Sequence, residues 1–118
     1  MLSQHNLDLF ANLVDTFSAD CNQWAHGNGF WDEPLNNTLV SSKIALAHSE
    51  LSEALESIRH GDPPDDKIPE FKGSVAEMAD TIIRIMDLAC ELKLPLGEAI
   101  VAKQRFNETR PFRNGKAF

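Results

Sequence analysis

Apolar residues recur at spacings of three and four along most of the chain, and that period alone draws four amphipathic helices. The first spans about Asn6 to His26, where Leu9, Phe10, Leu13, Val14, Phe17, Cys21 and Trp24 form one stripe, Trp24 reading as core. Gly27-Asn28-Gly29 stops it, and Phe30 to Pro34 reads as loop. Asn36, Asn37 and Thr38 offer caps for a second helix, about Leu39 to His60, with Ile44, Ala47, Leu51, Ala54, Leu55 and Ile58 on its core side. Gly61 ends that helix. The connection from Asp62 to about Gly73 is long for a helical bundle, a length that goes with functional loops. A third helix, about Val75 to Leu92, carries an apolar arc nearly half its circumference wide, enough to meet more than one neighbour and hence to predict oligomerisation. The fourth starts near Pro95, a favoured first-turn residue, and runs to about Thr109. No strand pattern or internal repeat interrupts the period. The prediction is one all-α domain over residues 1–118, a four-helix bundle with helices 2 and 3 antiparallel.

Several polar residues break this pattern. At 100° per residue, Glu50 falls between Leu46 and Ala54, inside the apolar arc of helix 2, and Glu53 falls at its margin. A carboxylate aimed at a core needs a partner, because burying it alone is very costly. Glu50-Leu51-Ser52-Glu53 is matched, after 23 intervening residues, by Glu77-Met78-Ala79-Asp80 on helix 3. Each motif projects two carboxylates from one helix side, about 5–6 Å apart at Cβ. Two helices folded back on one another would point all four into one space, where they repel unless a cation sits among them. Hard oxygen ligands suit Mg²⁺, with Mn²⁺ as the alternative. Glu77 and Asp80 lie outside the arc of helix 3 on the same side as Arg84, so a solvated face with an Asp80–Arg84 ion pair is the competing reading.

On helix 4, Lys103, Asn107 and Arg110 fall in the middle of the face made by Leu96, Ala99, Ile100, Ala102 and Phe106. They either snorkel at a helix end or form a cationic and amide row turned inward toward an anion. Arg113 and Lys116 follow on a Gly-containing tail that either folds over a phosphate or frays. Acids on two helices and a basic row on a third suggest phosphoryl transfer, in which a bound cation bridges phosphate oxygens and activates water.

The charge balance narrows the partners. A net charge of −7 argues against a nucleic-acid polymer or a membrane surface, but not against a small anion whose field a divalent cation reverses. Cys21 and Cys90 both fall on apolar stripes and read as reduced core residues. Polar and apolar residues are mixed from Ser3 onward, so no signal peptide is visible, and no apolar run approaches the roughly 20 residues of a membrane span; a cytoplasmic location is expected. There is no P-loop, no convincing nucleophile–His arrangement, and no Glu-x-x-His pair for a di-iron bundle.

The motifs also resemble a known family. Leu46-Ala47-His48-Ser49-Glu50-Leu51-Ser52-Glu53-Ala54-Leu55-Glu56 looks like the first metal motif of the MazG-like all-α nucleoside triphosphate pyrophosphohydrolases. Glu77 to Ala89 resembles their second, and Lys103-Gln104-Arg105-Phe106-Asn107-Glu108-Thr109-Arg110-Pro111-Phe112 is similar to their closing segment. The linker, Gly61-Asp62-Pro63-Pro64 through Ile68-Pro69-Glu70-Phe71, looks like that of one subgroup. The resemblance covers Ile44 to Phe118. It implies a MazG-like bundle that hydrolyses a (deoxy)nucleoside triphosphate between its α- and β-phosphates, releasing monophosphate and pyrophosphate.

Carried over by position, Glu50, Glu53, Glu77 and Asp80 would bind Mg²⁺, while Lys103, Asn107 and Arg110, with Lys116 as a further candidate, would hold phosphates. Glu53 is the candidate base, since it sits at the arc's edge where solvent reaches. Trp31 and Phe30 are candidates to stack on a nucleobase, against a reading as core anchors. Two positions depart from the family: Ser49-Glu50 stands where many members carry Glu-Glu, and Asn114-Gly115 where His-Gly usually precedes Lys. A homodimer or dimer of dimers is expected, with sites near subunit interfaces. The alternatives are a narrower substrate on the same scaffold, dUTP-type or phosphoribosyl-ATP-type, and a non-catalytic regulatory or assembly module whose carboxylates are surface charge.

Overall fold

Local sequence sets where each helix begins. Ser3 caps α1 (Gln4–Gly27) by accepting the Asn6 N–H at 3.2 Å, and Asn36 caps α2 (Asn37–Arg59) by accepting the Leu39 N–H at 2.9 Å. Lys72, which precedes α3 (Gly73–Glu91), has no capping side chain. Its first turn is satisfied instead from the preceding connection: the Asp62 carboxylate accepts the Ser74 N–H at 2.9 Å and the Ser74 hydroxyl at 2.6 Å. A final helix, α4 (Leu96–Glu108), follows a short break, and a 3₁₀ turn covers Phe112–Gly115. The computed structural model describes residues 1–117, and all of its α-helices were legible in the sequence within about three residues at each end. Among the described residues there is no strand, only an isolated bridge between Pro64 and Lys72.

Packing proceeds from α2 onto α3, from α3 onto α1, and from α1 onto α4. Partners along the first contact run in opposite directions, Glu50 meeting Arg84 while Ser57 approaches Gly73, so α2 and α3 are antiparallel. The α1–α4 seam rests on one glycine. A Cβ at Gly97 would lie 2.8 Å from Ala11 Cα, and the Gly97 N–H donates to Asp15 Oδ1 at 3.0 Å. No helix is long and apolar enough to cross a membrane.

The interior is small. Its buried apolar residues are Ala11, Val14, Ala25, Trp31, Ala54, Ala76 and Ala89, so mainly alanines let the helices approach. Most of the stripe residues expected to be core stay on the surface: Leu13 is 66% exposed, Trp24 62% and Ile82 53%. The chain exposes 8707 Å², whereas a compact monomer of 13.2 kDa would expose about 6400 Å². Its radius of gyration is 16.7 Å, against about 13.5 Å for a compact domain of this length.

Because the space at Gly97 is already filled by the Ala11 backbone, Gly97→Ala is expected to cost about 1–3 kcal/mol. The readout is the urea midpoint at unchanged m-value; an unmoved midpoint would mean that α4 is not seated there.

Candidate functional site

The antiparallel α2–α3 contact places Glu50, Glu53 and Glu77 together, with one carboxylate oxygen from each within 4.8 Å of the others. Glu50 is held from α3 as well: Arg84 Nε donates to its Oε1 at 3.0 Å, and Arg84 Nη2 lies 2.9 Å from the same oxygen in an ion pair. The Asp80–Arg84 ion pair of the competing reading thus gives way to an interhelical bridge. Only 13% of the Glu50 side chain is exposed. This explains how a carboxylate sits inside an apolar arc: its partner comes from the facing helix. Asp80 lies one turn further along α3, exposed, on the same cleft but outside the close triad.

Three like charges at this separation cannot all remain in their ordinary state. Burial, followed by hydrogen bonding and charge from Glu50 and Glu53, pushes Glu77 up to about 7. Its Oε2 is buried and meets no donor. Burial also acts upward on Glu50, but hydrogen bonds from Glu77 and Arg84, with the Arg84 charge, outweigh it and leave Glu50 below its ordinary value. Burial and the Glu50 charge raise Asp80, opposed by Arg84 and Lys67. Of the three carboxyls, Glu77 is thus the one that holds its proton most firmly. A hard cation would take that proton's place: the donor set is all oxygen, from three carboxylates, and the orphaned Oε2 supplies a ready ligand. The residues present fit a Mg²⁺ or Mn²⁺ ion.

The triad opens into a cleft of about 330 Å³, walled by Cys21, Trp24 and Ala25 of α1, Phe30, Lys43 of α2, Lys67 of the α2–α3 connection, and Ile83 and Asp87 of α3. Phe30 stacks on Trp24 with ring centroids 5.5 Å apart, and both remain half open to solvent. Trp31 has a different role. It is 8% exposed, and its indole N–H donates to Asp87 Oδ1 at 2.9 Å, an oxygen that also accepts from Asn22 Nδ2 at 2.9 Å. Trp31 therefore anchors the loop between α1 and α2, as the core-anchor reading has it, while Phe30 keeps a face toward the cleft.

The basic row is placed elsewhere. Lys103 and Asn107 line a separate shallow groove with Leu96, Ala99, Ile100 and Gln104. Lys103 Nζ and the Arg110 guanidinium each lie 5.4 Å from the centroid of the Phe106 ring. Lys116 is exposed beyond the 3₁₀ turn. Because α4 packs on α1, which separates it from α2, no residue of this row lines the acidic cleft in the single chain.

The cleft instead carries two lysines that the sequence did not single out. Lys43 had a readable signal, lying seven residues before Glu50 and so two turns away on the same helix side. Lys67 had none, because a linker carries no period. Both cysteines are half-buried, and burial raises both thiols. No protein-family model, curated protein or solved structure matches this chain.

The pH behaviour of the metal-free protein follows from Glu77. Its carboxyl ordinarily titrates at 4.5 and is raised in the folded state to about 7, so the folded chain binds more protons between those values. Its contribution is then greatest below pH 4.5 and is lost as pH rises toward 7. The loss is on the order of 1–3 kcal/mol, since a tenfold change in proton affinity is about 1.4 kcal/mol. Glu77→Gln should flatten this slope between about pH 5 and 7.5 and raise the metal-free melting temperature at about pH 8; a slope unchanged by the substitution would assign it to other groups.

Proposed function

We propose that this chain is a Mg²⁺-dependent nucleotide pyrophosphohydrolase of the MazG-like kind, cleaving a (deoxy)nucleoside triphosphate between the α- and β-phosphates. The observation that carries the reading is the convergence of Glu50, Glu53 and Glu77 from two antiparallel helices, with Glu77 Oε2 left without a donor. The sequence motifs around those residues support it. Glu50, Glu53 and Glu77 would hold the ion, with Asp80 in reach of the same cleft. When bound, the ion supplies charge neutralisation at the phosphates and a water of lowered pKa.

The chain's own residues do the rest. Arg84 fixes the Glu50 carboxylate from across the helix pair, so that its oxygens are oriented before ligand arrives. Glu53 is the exposed member of the triad, and on this reading it would take a proton from an attacking water. Phe30 and Trp24 offer a stacked aromatic wall for a base, and the bulk of the cleft suits a nucleotide rather than inorganic phosphate alone.

The surface supports an oligomer. The chain exposes about 2300 Å² more than a compact monomer of its mass. Covering that excess on each of two chains falls in the range of obligate homodimers. A partner would also give the cations of α4 a cleft to face, which their own chain does not.

The decisive assay is product analysis. Nucleoside triphosphates incubated with Mg²⁺ should yield monophosphate and pyrophosphate, and chelator should stop it. Glu50→Gln should lower kcat/KM by more than about 100-fold, since the ion is asked to supply several kcal/mol. Release of diphosphate and orthophosphate would relocate the cleavage; no turnover of any nucleotide would favour the assembly-module reading. Separately, light scattering should report a dimer or tetramer at micromolar concentration, and a stable monomer would remove the oligomer from the proposal.

A further inference from the structure

The acidic cleft has to meet a polyanion, yet the basic row of α4 lies outside it. Three cations line the cleft, Lys43, Lys67 and Arg84. Two are engaged by the protein. Arg84 is committed to Glu50 through a hydrogen bond and an ion pair, and Lys43 Nζ donates to the Phe30 carbonyl at 2.7 Å while lying 4.5 Å from the centroid of the Trp31 ring. Lys67 makes no ion pair and no side-chain hydrogen bond among the described residues.

Its backbone, in contrast, is held firmly. Asp65 Oδ2 accepts the N–H groups of Lys67 and Ile68 at 2.9 Å each, an Asx turn that fixes the start of the segment. The Asp65 N–H donates to the Phe71 carbonyl at 2.9 Å, and the Phe71 N–H to the Ile68 carbonyl at 3.0 Å, closing a tight loop. Asp62 secures its base through Ser74 and Ser57. The long connection is therefore a built turn that carries one unengaged ammonium to the rim of the cleft, near enough for Asp80 to feel its charge.

We propose that Lys67 is a phosphate-contacting residue of this cleft, its ammonium donating to non-bridging oxygens of the substrate's polyphosphate. The inference rests on the pyrophosphohydrolase reading of the same cleft and adds a contact from the linker. A lysine suits such a contact, because its compact charge and three rotatable donors reach whichever oxygens the bound ion leaves free. An ammonium held at a fixed rim also favours binding over chemistry, so its removal should fall mainly on KM.

The test is calorimetric titration of inorganic tripolyphosphate in Mg²⁺ into the full chain, its Lys67→Met and Lys67→Arg variants, and a Lys72→Met control on the same connection outside the cleft. Pyrophosphate release from nucleoside triphosphates is measured in parallel. Lys67→Met should weaken tripolyphosphate binding roughly 10- to 100-fold, the effect of one charge-assisted hydrogen bond. KM for a nucleotide should rise by the same order with kcat little changed, Lys67→Arg should retain most of the affinity, and the melting temperature should not move. Equal affinity in Lys67→Met and wild type overturns the proposal, as does equal weakening in Lys72→Met or a wild-type chain that binds no tripolyphosphate. Binding that depends on Lys67 without any pyrophosphate release keeps the phosphate contact and overturns the hydrolase reading instead.

Discussion

The Arg84–Glu50 bridge is the contact on which the rest of the arrangement depends. α2 and α3 pack antiparallel through small residues, Ala54 and Gly73 among them, and that packing brings acidic side chains from both helices to one level. Left alone, such a cluster would push the helices apart. Arg84 offsets part of that repulsion by pairing Glu50 across the seam through a hydrogen bond and an ion pair, and the raised proton affinity of Glu77 offsets more. What is left is an acidic cluster whose electrostatics work against the fold and whose carboxylates converge on one small space. A bound cation would reverse that balance. Stability lost at such a site is the usual cost of prearranged ligands.

The same economy of packing explains the surface. Helices that approach through alanine and glycine leave their larger side chains, such as Leu13, Phe17, Leu51, Leu55 and Ile82, pointing away from the seams. A chain of this size has too little interior to bury four wide apolar faces on its own. The broad arc of α3 is divided between α1, α2 and open surface, which is why its width in the sequence exceeded what one bundle needs.

Legibility followed the source of each constraint. The four helices, the Asn36 cap of α2, its stop at Gly61 and the inward aim of Glu50 were readable because local propensity and a 3.6-residue period record them directly. The convergence of Glu50 and Glu53 with Glu77 was also readable, since two motifs on adjacent antiparallel helices must share a level. The partner of Arg84 was not: both Asp80 at one turn and Glu50 across the seam satisfy the sequence, and only tertiary packing selects the second. Trp24 left its expected place in the core, and the open choice at Trp31 was decided, for a similar reason. Trp24 lies on the apolar stripe, but with only the Phe30 ring stacked against it 62% of it stays exposed, whereas Trp31, in a loop without period, finds Asp87 and becomes the anchor.

That anchor ties the cleft's walls to one another. Asp87 of α3 accepts from Trp31 in the loop and from Asn22 on α1, while Glu91, one turn later, accepts from Asn22 at 3.3 Å and is bridged to His26. Lys43 of α2 then reaches back to the Phe30 carbonyl and the Trp31 ring. Three helices and the loop are thus cross-linked by a polar network on one side of the cleft. On the other, Asp62 and Asp65 hold the linker that carries Lys67. The glutamates sit between two tethered walls. Walls tethered in this way would lose little further freedom against a ligand, leaving more of the contact energy for binding and orientation.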